Sequence, residues 1–283
     1  MDPRVVRQPA HDLRLRVRCA VFLNAITRKV EPDPEAFPWS VPVFRWLERL
    51  DFSAPVTFLV GENGSGKSTL LEGLAAGMEA VVAGGADIER DESHAAARRF
   101  AAGYCFSRKH KPRARLFVRA EDLFGFVRRV SRDMRELSEL EEHYRTTIKG
   151  DYGRQLATGA VRGQRGALAG KYGEDPDAKS HGETFLNLLE QRLVVEGLYF
   201  LDEPEAPLSP LRQLTLISLL KQVVADGSQL VICTHSPILM AFPGAQILLF
   251  DGDQLTPTPY DELDHVRLTR AFLNDPESYL RRL

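Results

Sequence analysis

A chain of 283 residues with 43% apolar composition can bury a full core, either as one large domain or as a domain with an added lobe. Its formal net charge of −2 excludes an overall electrostatic footprint for nucleic acid, although a local basic patch remains open to it. Three cysteines (Cys19, Cys105, Cys233) lie far apart without metal-type spacing, so neither a disulfide framework nor a zinc site is suggested. No stretch approaches the ~18 apolar residues of a membrane span. The opening "MDPRVVRQPAHDLRLRVRC" lacks the apolar core of a signal peptide, and a cytoplasmic protein with no membrane partner is expected.

In chain order, residues 1–12 read as a loose arm. From Leu13 to Val21 apolar residues alternate with Arg14, Arg16 and Arg18, which predicts a half-buried strand with a solvated arginine face. A proline-spaced stretch (Pro32, Pro34, Pro38, Pro42) leads to a short helix, "VFRWLERL". "APVTFLV" is a continuous apolar strand of the kind buried in a parallel sheet, with a helix from about Lys67. Residues 83–113 are mixed in charge and read as an exposed insertion. From Glu121 to about Glu142 apolar residues recur at helical spacing on a charged background, predicting a helical lobe. Residues 149–182 are dotted with glycines and read as mobile. There follow a helix over 184–196, the strand "GLYFLDE", a helix over Leu211–Ala225, the strand "QLVICTH", a hairpin in "AQILLFDGDQL" and a last helix near 264–273.

The chemistry concentrates in three places. "GENGSGKST" fits G-x-x-x-x-G-K-[ST]: Gly61, Glu62, Asn63, Gly64, Ser65, Gly66, Lys67, Ser68 and Thr69. Such a loop curls its backbone N–H groups around phosphates at a helix N-terminus, while Lys67 reaches the β- and γ-phosphates and Ser68 ligates Mg²⁺. Its place, after a buried strand and at the opening of a helix, is the context the motif requires. "LYFLDEPEAPLSP" drives a buried strand into Asp202 and Glu203, a costly arrangement unless these acids act at the sheet edge where ligands bind. Asp202 suits the magnesium role, Glu203 the general base toward attacking water. The strand "LVIC" ends in Thr234-His235, where a histidine can donate to a γ-phosphate oxygen.

A fourth stretch, "KSHGETFLNLL", places Ser180 three residues before Glu183, a capping box at a helix start. A phosphate-facing role for Ser180, Gly182 and Glu183 competes with that structural reading.

Together these motifs resemble the ABC-type ATPase superfamily, and more narrowly a group of stand-alone bacterial predicted ATPases on its SMC/RecF/OLD-like side. The resemblance covers roughly residues 50–80 and 179–250. It implies an α/β P-loop NTPase of ABC-ATPase type, with a mostly parallel central sheet, an antiparallel β edge and a helical lobe carrying the signature helix. The whole chain, 1–283, would form one ATPase domain: 13–82 and 197–283 the nucleotide-binding core, 83–196 the lobe. It further implies ATP and Mg²⁺ as cofactors, and an ATP-dependent head-to-tail homodimer in which Ser180, Gly182 and Glu183 meet the nucleotide of the other subunit. "APLSP" resembles the family's D-loop and His235 its switch histidine.

Two departures stand out. No glutamine stands where the family's Q-loop belongs; "RLFVRAEDLF" offers Arg119 and Glu121 instead. Glu183 also occupies a position often held by glutamine. Phe37 and Trp39 are the candidates for stacking on the base. Three uses are compatible with these motifs: a switch ATPase, the energy-coupling subunit of a transporter, or an ATPase of DNA repair or defence. For the last, the basic run 108–119 (Arg108, Lys109, Lys111, Arg113, Arg115, Arg119) offers a nucleic-acid surface, and an unknown protein partner would supply any nuclease.

Overall fold

The computed structural model describes residues 21–31, 33–83, 95–172 and 181–281. Strand β1 (Leu23–Arg28) is followed by the short helix α1 (Pro42–Trp46), β2 (Arg49–Asp51) and β3 (Val56–Gly61). Next come α2 (Lys67–Gly77), β4 (Val81–Val82), α3 (Ala95–Gly103), β5 (Tyr104–Arg108) and β6 (Ala114–Arg119). Two long helices, α4 (Ala120–Thr147) and α5 (Asp151–Tyr172), precede α6 (His181–Arg192) and β7 (Gly197–Asp202). The chain continues through α7 (Pro210–Ala225), β8 (Gln229–Cys233), α8 (Pro237–Met240), β9 (Gln246–Asp251) and β10 (Gln254–Pro257) to α9 (Asp264–Asn274) and α10 (Pro276–Leu280).

Among the described residues the strands form two sheets. The larger runs β10-β9-β3-β8-β7-β6-β4, parallel throughout except for the edge pair β9/β10. Its central strands are apolar and buried on both faces, as a parallel sheet covered by helices demands. The smaller sheet, β2-β1-β5, is antiparallel. One core lies between the two sheets around α2 (Phe44, Phe52, Leu74, Phe100, Tyr104). The other lies on the opposite face under α6 and α7 (Phe58, Tyr199, Phe185, Leu216, Leu220).

Two glutamine side chains, Gln229 buried and Gln246 half-buried, hang the small sheet on the large one. At the start of β8, Gln229 Oε1 accepts from the N–H groups of Phe22 and Leu23 at 2.8 and 2.9 Å, and Nε2 donates to the Leu23 carbonyl at 2.9 Å. At the start of β9, Gln246 Oε1 accepts from Ser53 N–H at 2.9 Å, and Nε2 donates to the Asp51 carbonyl at 2.9 Å.

Three expectations change. The stretch 149–182, expected to be mobile, is helical over Asp151–Tyr172. Its glycines at 159, 163, 166 and 170 face open space, and each costs ~1 kcal/mol against alanine, but the helix is held by packing on α4. Arg162 pairs with Glu141 at 2.7 Å and Arg165 donates to Ser138 at 3.1 Å, a falling register that makes α4 and α5 an antiparallel hairpin. The stretch 83–113, expected to be an exposed insertion, supplies α3 and β5, whose Phe100 and Tyr104 are fully buried in the core between the sheets. "VFRWLERL" ends as a helix at Trp46 and becomes strand β2 from Arg49. The strand expected over Leu13–Val21 lies almost wholly outside the described residues.

Replacing Gln229 by leucine leaves two buried N–H groups and one carbonyl unpaired, and is expected to cost about 3 kcal/mol in urea unfolding. Gln246→Leu, at a more exposed junction, should cost about 1 kcal/mol.

Candidate functional site

The strand order β3-β8-β7-β6 brings four chain segments to one edge of the large sheet. The phosphate-type loop follows β3, Thr234-His235 follows β8, Asp202-Glu203 closes β7, and Arg119 closes β6. Arg119 is directly paired with Asp202 in the parallel ladder, and Asp202 with Cys233.

The loop from Gly61 to Thr69 wraps the N-terminus of α2. Gly66 has φ +104°, and a side chain there would lie 2.9 Å from Val41 Cγ1; Gly61 has φ +151°, and a side chain there would lie 2.8 Å from the Phe250 carbonyl oxygen. Neither position admits a Cβ without movement. Glu62, Asn63 and Gly64 stand at the exposed rim, Ser68 and Thr69 in the first turn of the helix. Lys67 is buried, and its Nζ donates to the carbonyls of Gly61 (2.8 Å) and Glu62 (2.7 Å). Burial lowers the pKa of its ammonium group, opposed by the carboxylates of Glu203 and Asp202 nearby. Ser65 Oγ is buried without a hydrogen-bond partner among the described residues. An orphaned hydroxyl, a glycine-lined turn and a helix N-terminus fit phosphate oxygens.

The acids of β7 divide by position. Asp202 is 5% exposed and accepts from Ser68 Oγ at 3.3 Å. These two hard oxygens are the kind of donor Mg²⁺ takes. Burial raises the pKa of Asp202, and the Arg119 guanidinium pulls it back. Glu203 turns outward with φ +47°, an unusual conformation for a residue with a side chain. Its carboxylate is half-exposed, 3.9 Å from His235 Nε2. A cleft of about 400 Å³ is lined by Ser68, Arg119, Glu121, Asp202 and Glu203.

Two contributors went unread in the sequence. Glu205 accepts the His235 backbone N–H at 2.7 Å, and burial raises its pKa. It ties the turn after β7 to the histidine after β8. A third acid within four residues of Asp202 was its visible signal. Ser236 Oγ donates to Gln213 Oε1 at 2.5 Å while Gln213 Nε2 donates to the Leu208 carbonyl, which joins the "APLSP" turn to the same segment.

The start of α6 lies beside that turn. A Cβ on Gly182 would stand 2.8 Å from the Pro207 carbonyl, and Glu183 faces Arg212 at 3.6 Å. Ser180 lies outside the described residues. Trp39, expected as a base-stacking candidate, is instead a core residue stacked on Phe100 at 5.8 Å, while Phe37 is 48% exposed. Of the basic run 108–119, Arg108 donates to the Gly77 carbonyl, and Arg113, Arg115 and Arg119 pair with Glu196, Glu79 and Glu72. Lys109 and Lys111 are exposed.

Fold and site define a P-loop ATPase. A family model described as an AAA domain (AAA_23) matches residues 43–149, from α1 through the phosphate loop to the end of α4. The cobalt import ATP-binding protein CbiO of Salmonella typhimurium is 25% identical over 248 residues, covering 82% of this chain and 83% of that protein. Among solved structures, cbiO1 from Clostridium perfringens is 15% identical, with a TM-score of 0.44 over 93% of this chain and 100% of that one. The SMC head domain from Thermotoga maritima is 15% identical, with a TM-score of 0.38 over 84% and 99%. The site's motifs and these similarities support an ABC-superfamily P-loop ATPase.

Glu205→Ala, which frees the His235 segment but leaves both sheets intact, is expected to slow ATP turnover about tenfold with little change in KM. Steady-state kinetics beside a thermal melt would separate this from loss of fold.

Proposed function

We propose that this chain hydrolyses ATP in a Mg²⁺-dependent reaction, and that two copies close head to tail around two nucleotides. The convergence of the phosphate loop, the Asp202-Glu203 pair and His235 on one sheet edge carries the reading. Backbone N–H groups from Gly61 to Thr69 cradle the phosphates, and Lys67 exchanges the carbonyls of Gly61 and Glu62 for β- and γ-phosphate oxygens. Ser68 and Asp202 supply ligands for Mg²⁺, which when bound offsets charge on those oxygens. Glu203, half-exposed in the cleft, takes the proton of the attacking water, and His235 donates to the γ-phosphate.

Ser180, Gly182 and Glu183 then act on the nucleotide of the second copy. Glu183 alone would repel a phosphate, and the nearby Arg212 supports the reading by offsetting that charge. Opening and closing of the dimer is the switch. Its setting is DNA repair or defence, with the exposed Lys109 and Lys111 as what remains of the basic run for nucleic acid, or action on a protein partner. The relationship to cobalt import ATP-binding proteins favours a second reading, the energy-coupling subunit of a transporter. Among the described residues no helix is long and apolar enough to cross a membrane; stable co-purification with a membrane protein would establish that reading.

Glu203→Gln is expected to lower the hydrolysis rate by about 100-fold or more while retaining ATP binding. Light scattering of this variant should show monomer without nucleotide and dimer with Mg·ATP, and adding Ser180→Arg should abolish the dimer. A mass indifferent to ATP would remove the trans contact; hydrolysis at the parental rate would remove Glu203 as the base.

A further inference from the structure

The most unusual group in the cleft is a cation that the chain itself provides. Arg119, at the end of β6, directs Nε to Asp202 Oδ2 at 3.4 Å and lies 3.6 Å from Glu121, while its Nη2 bonds Glu72 on α2. Its guanidinium stands 5.6 Å from the centre of the Phe117 ring, and its side chain is 24% exposed. The other oxygen of Asp202 accepts from Ser68. Both oxygens of the carboxylate best placed for a divalent ion are thus engaged, one of them by a permanent positive charge.

We propose that Arg119 is a resident cation that shares Asp202 with Mg²⁺, so that it holds nucleotide partly in the metal's stead and weakens the dependence of nucleotide binding on Mg²⁺. The inference rests on the ATP reading above. Two cations against one buried carboxylate repel each other strongly where water screens poorly. The guanidinium cannot lose its charge to make room. It also adds a positive charge beside the phosphate loop when no metal is present, which favours a polyanion there.

Glu72 sets how firmly Arg119 leans on Asp202. The guanidinium is bonded to Glu72, and its contact with Asp202 is looser, at 3.4 Å, than a charge-assisted bond normally is. Removing the charge of Glu72 should therefore move Arg119 toward Asp202 and strengthen its competition with the metal. Arg119 and Glu72 thus have opposite signs of effect, which a merely structural ion pair would not produce.

The test is the dissociation constant of trinitrophenyl-ATP for the full chain, measured by fluorescence in EDTA and in saturating Mg²⁺. The ratio of the two constants is the readout, and no turnover is needed. Arg119→Gln should raise the ratio about tenfold over the parent, and Arg119→Lys, which keeps the charge, should stay within about twofold. Glu72→Gln should lower it. A parental ratio in Arg119→Gln overturns the inference while leaving the ATP reading intact. If Arg119→Gln does not fold, Glu72→Gln decides: a lowered ratio supports the proposal, an unchanged or raised one overturns it. Failure of the parent to bind the probe under either condition overturns the ATP reading itself, and the inference falls with it.

Discussion

The site is organised by the need to satisfy one buried carboxylate. Asp202 sits at the end of a strand whose every residue is buried, where an ionised acid without partners would cost several kcal/mol. Its partners come from different parts of the chain: Ser68 from the first turn of α2, Arg119 from the neighbouring strand β6. Each arrives only if the parallel ladders hold their register, because a slip of one residue would turn Arg119 to the opposite face of the sheet. The same register sets Cys233 beside Asp202 in β8, where complete burial raises the thiol pKa far above its ordinary value and keeps it neutral.

Register in turn depends on what covers the sheet. The antiparallel sheet, with Phe44, Phe100 and Tyr104 behind it, closes one side of α2, and Val41 and Phe44 fill the space against Gly66. Gln229 and Gln246 fix that sheet to the starts of β8 and β9, at the edge opposite the site. Polar anchors suit this junction because they satisfy backbone groups that two abutting sheets would otherwise leave unpaired, and they accept only one alignment. The shape of the phosphate loop is therefore set partly from outside the loop, by α1, which packs in the same core as the small sheet.

What the sequence disclosed follows the range of the interaction. The strands β3, β7 and β8 were legible because burial on both faces writes a continuous apolar run. The phosphate loop was legible because glycine spacing is a local backbone requirement. The helix over Asp151–Tyr172 was not, because its glycines argue locally for a breaker while the forces that hold it are tertiary, packing on α4 and the pairing of Arg162 with Glu141, 21 positions away. Arg119 was visible as an oddity where a glutamine was expected, but its pairing with Glu72 and Asp202 spans 47 and 83 residues and depends on strand order. Glu205 stood in plain sight and was missed because Asp202 and Glu203 already accounted for the motif.

Arg119 also marks where the site meets the rest of the molecule. It is the last residue of β6, and the next residue begins α4, whose 28 residues run about 42 Å as one half of the helical hairpin. Glu121 and Asp122 fill the first turn of that helix, where negative charge favours its N-terminus, and both act electrostatically on Arg119. One guanidinium is thus shared by the phosphate-loop helix through Glu72, by the central sheet through Asp202 and by the base of the hairpin through its own backbone. A change in how Asp202 is satisfied therefore alters the forces on Arg119 at the point where the hairpin begins. The residue that partners the buried acid is thus also the one that adjoins the base of the hairpin.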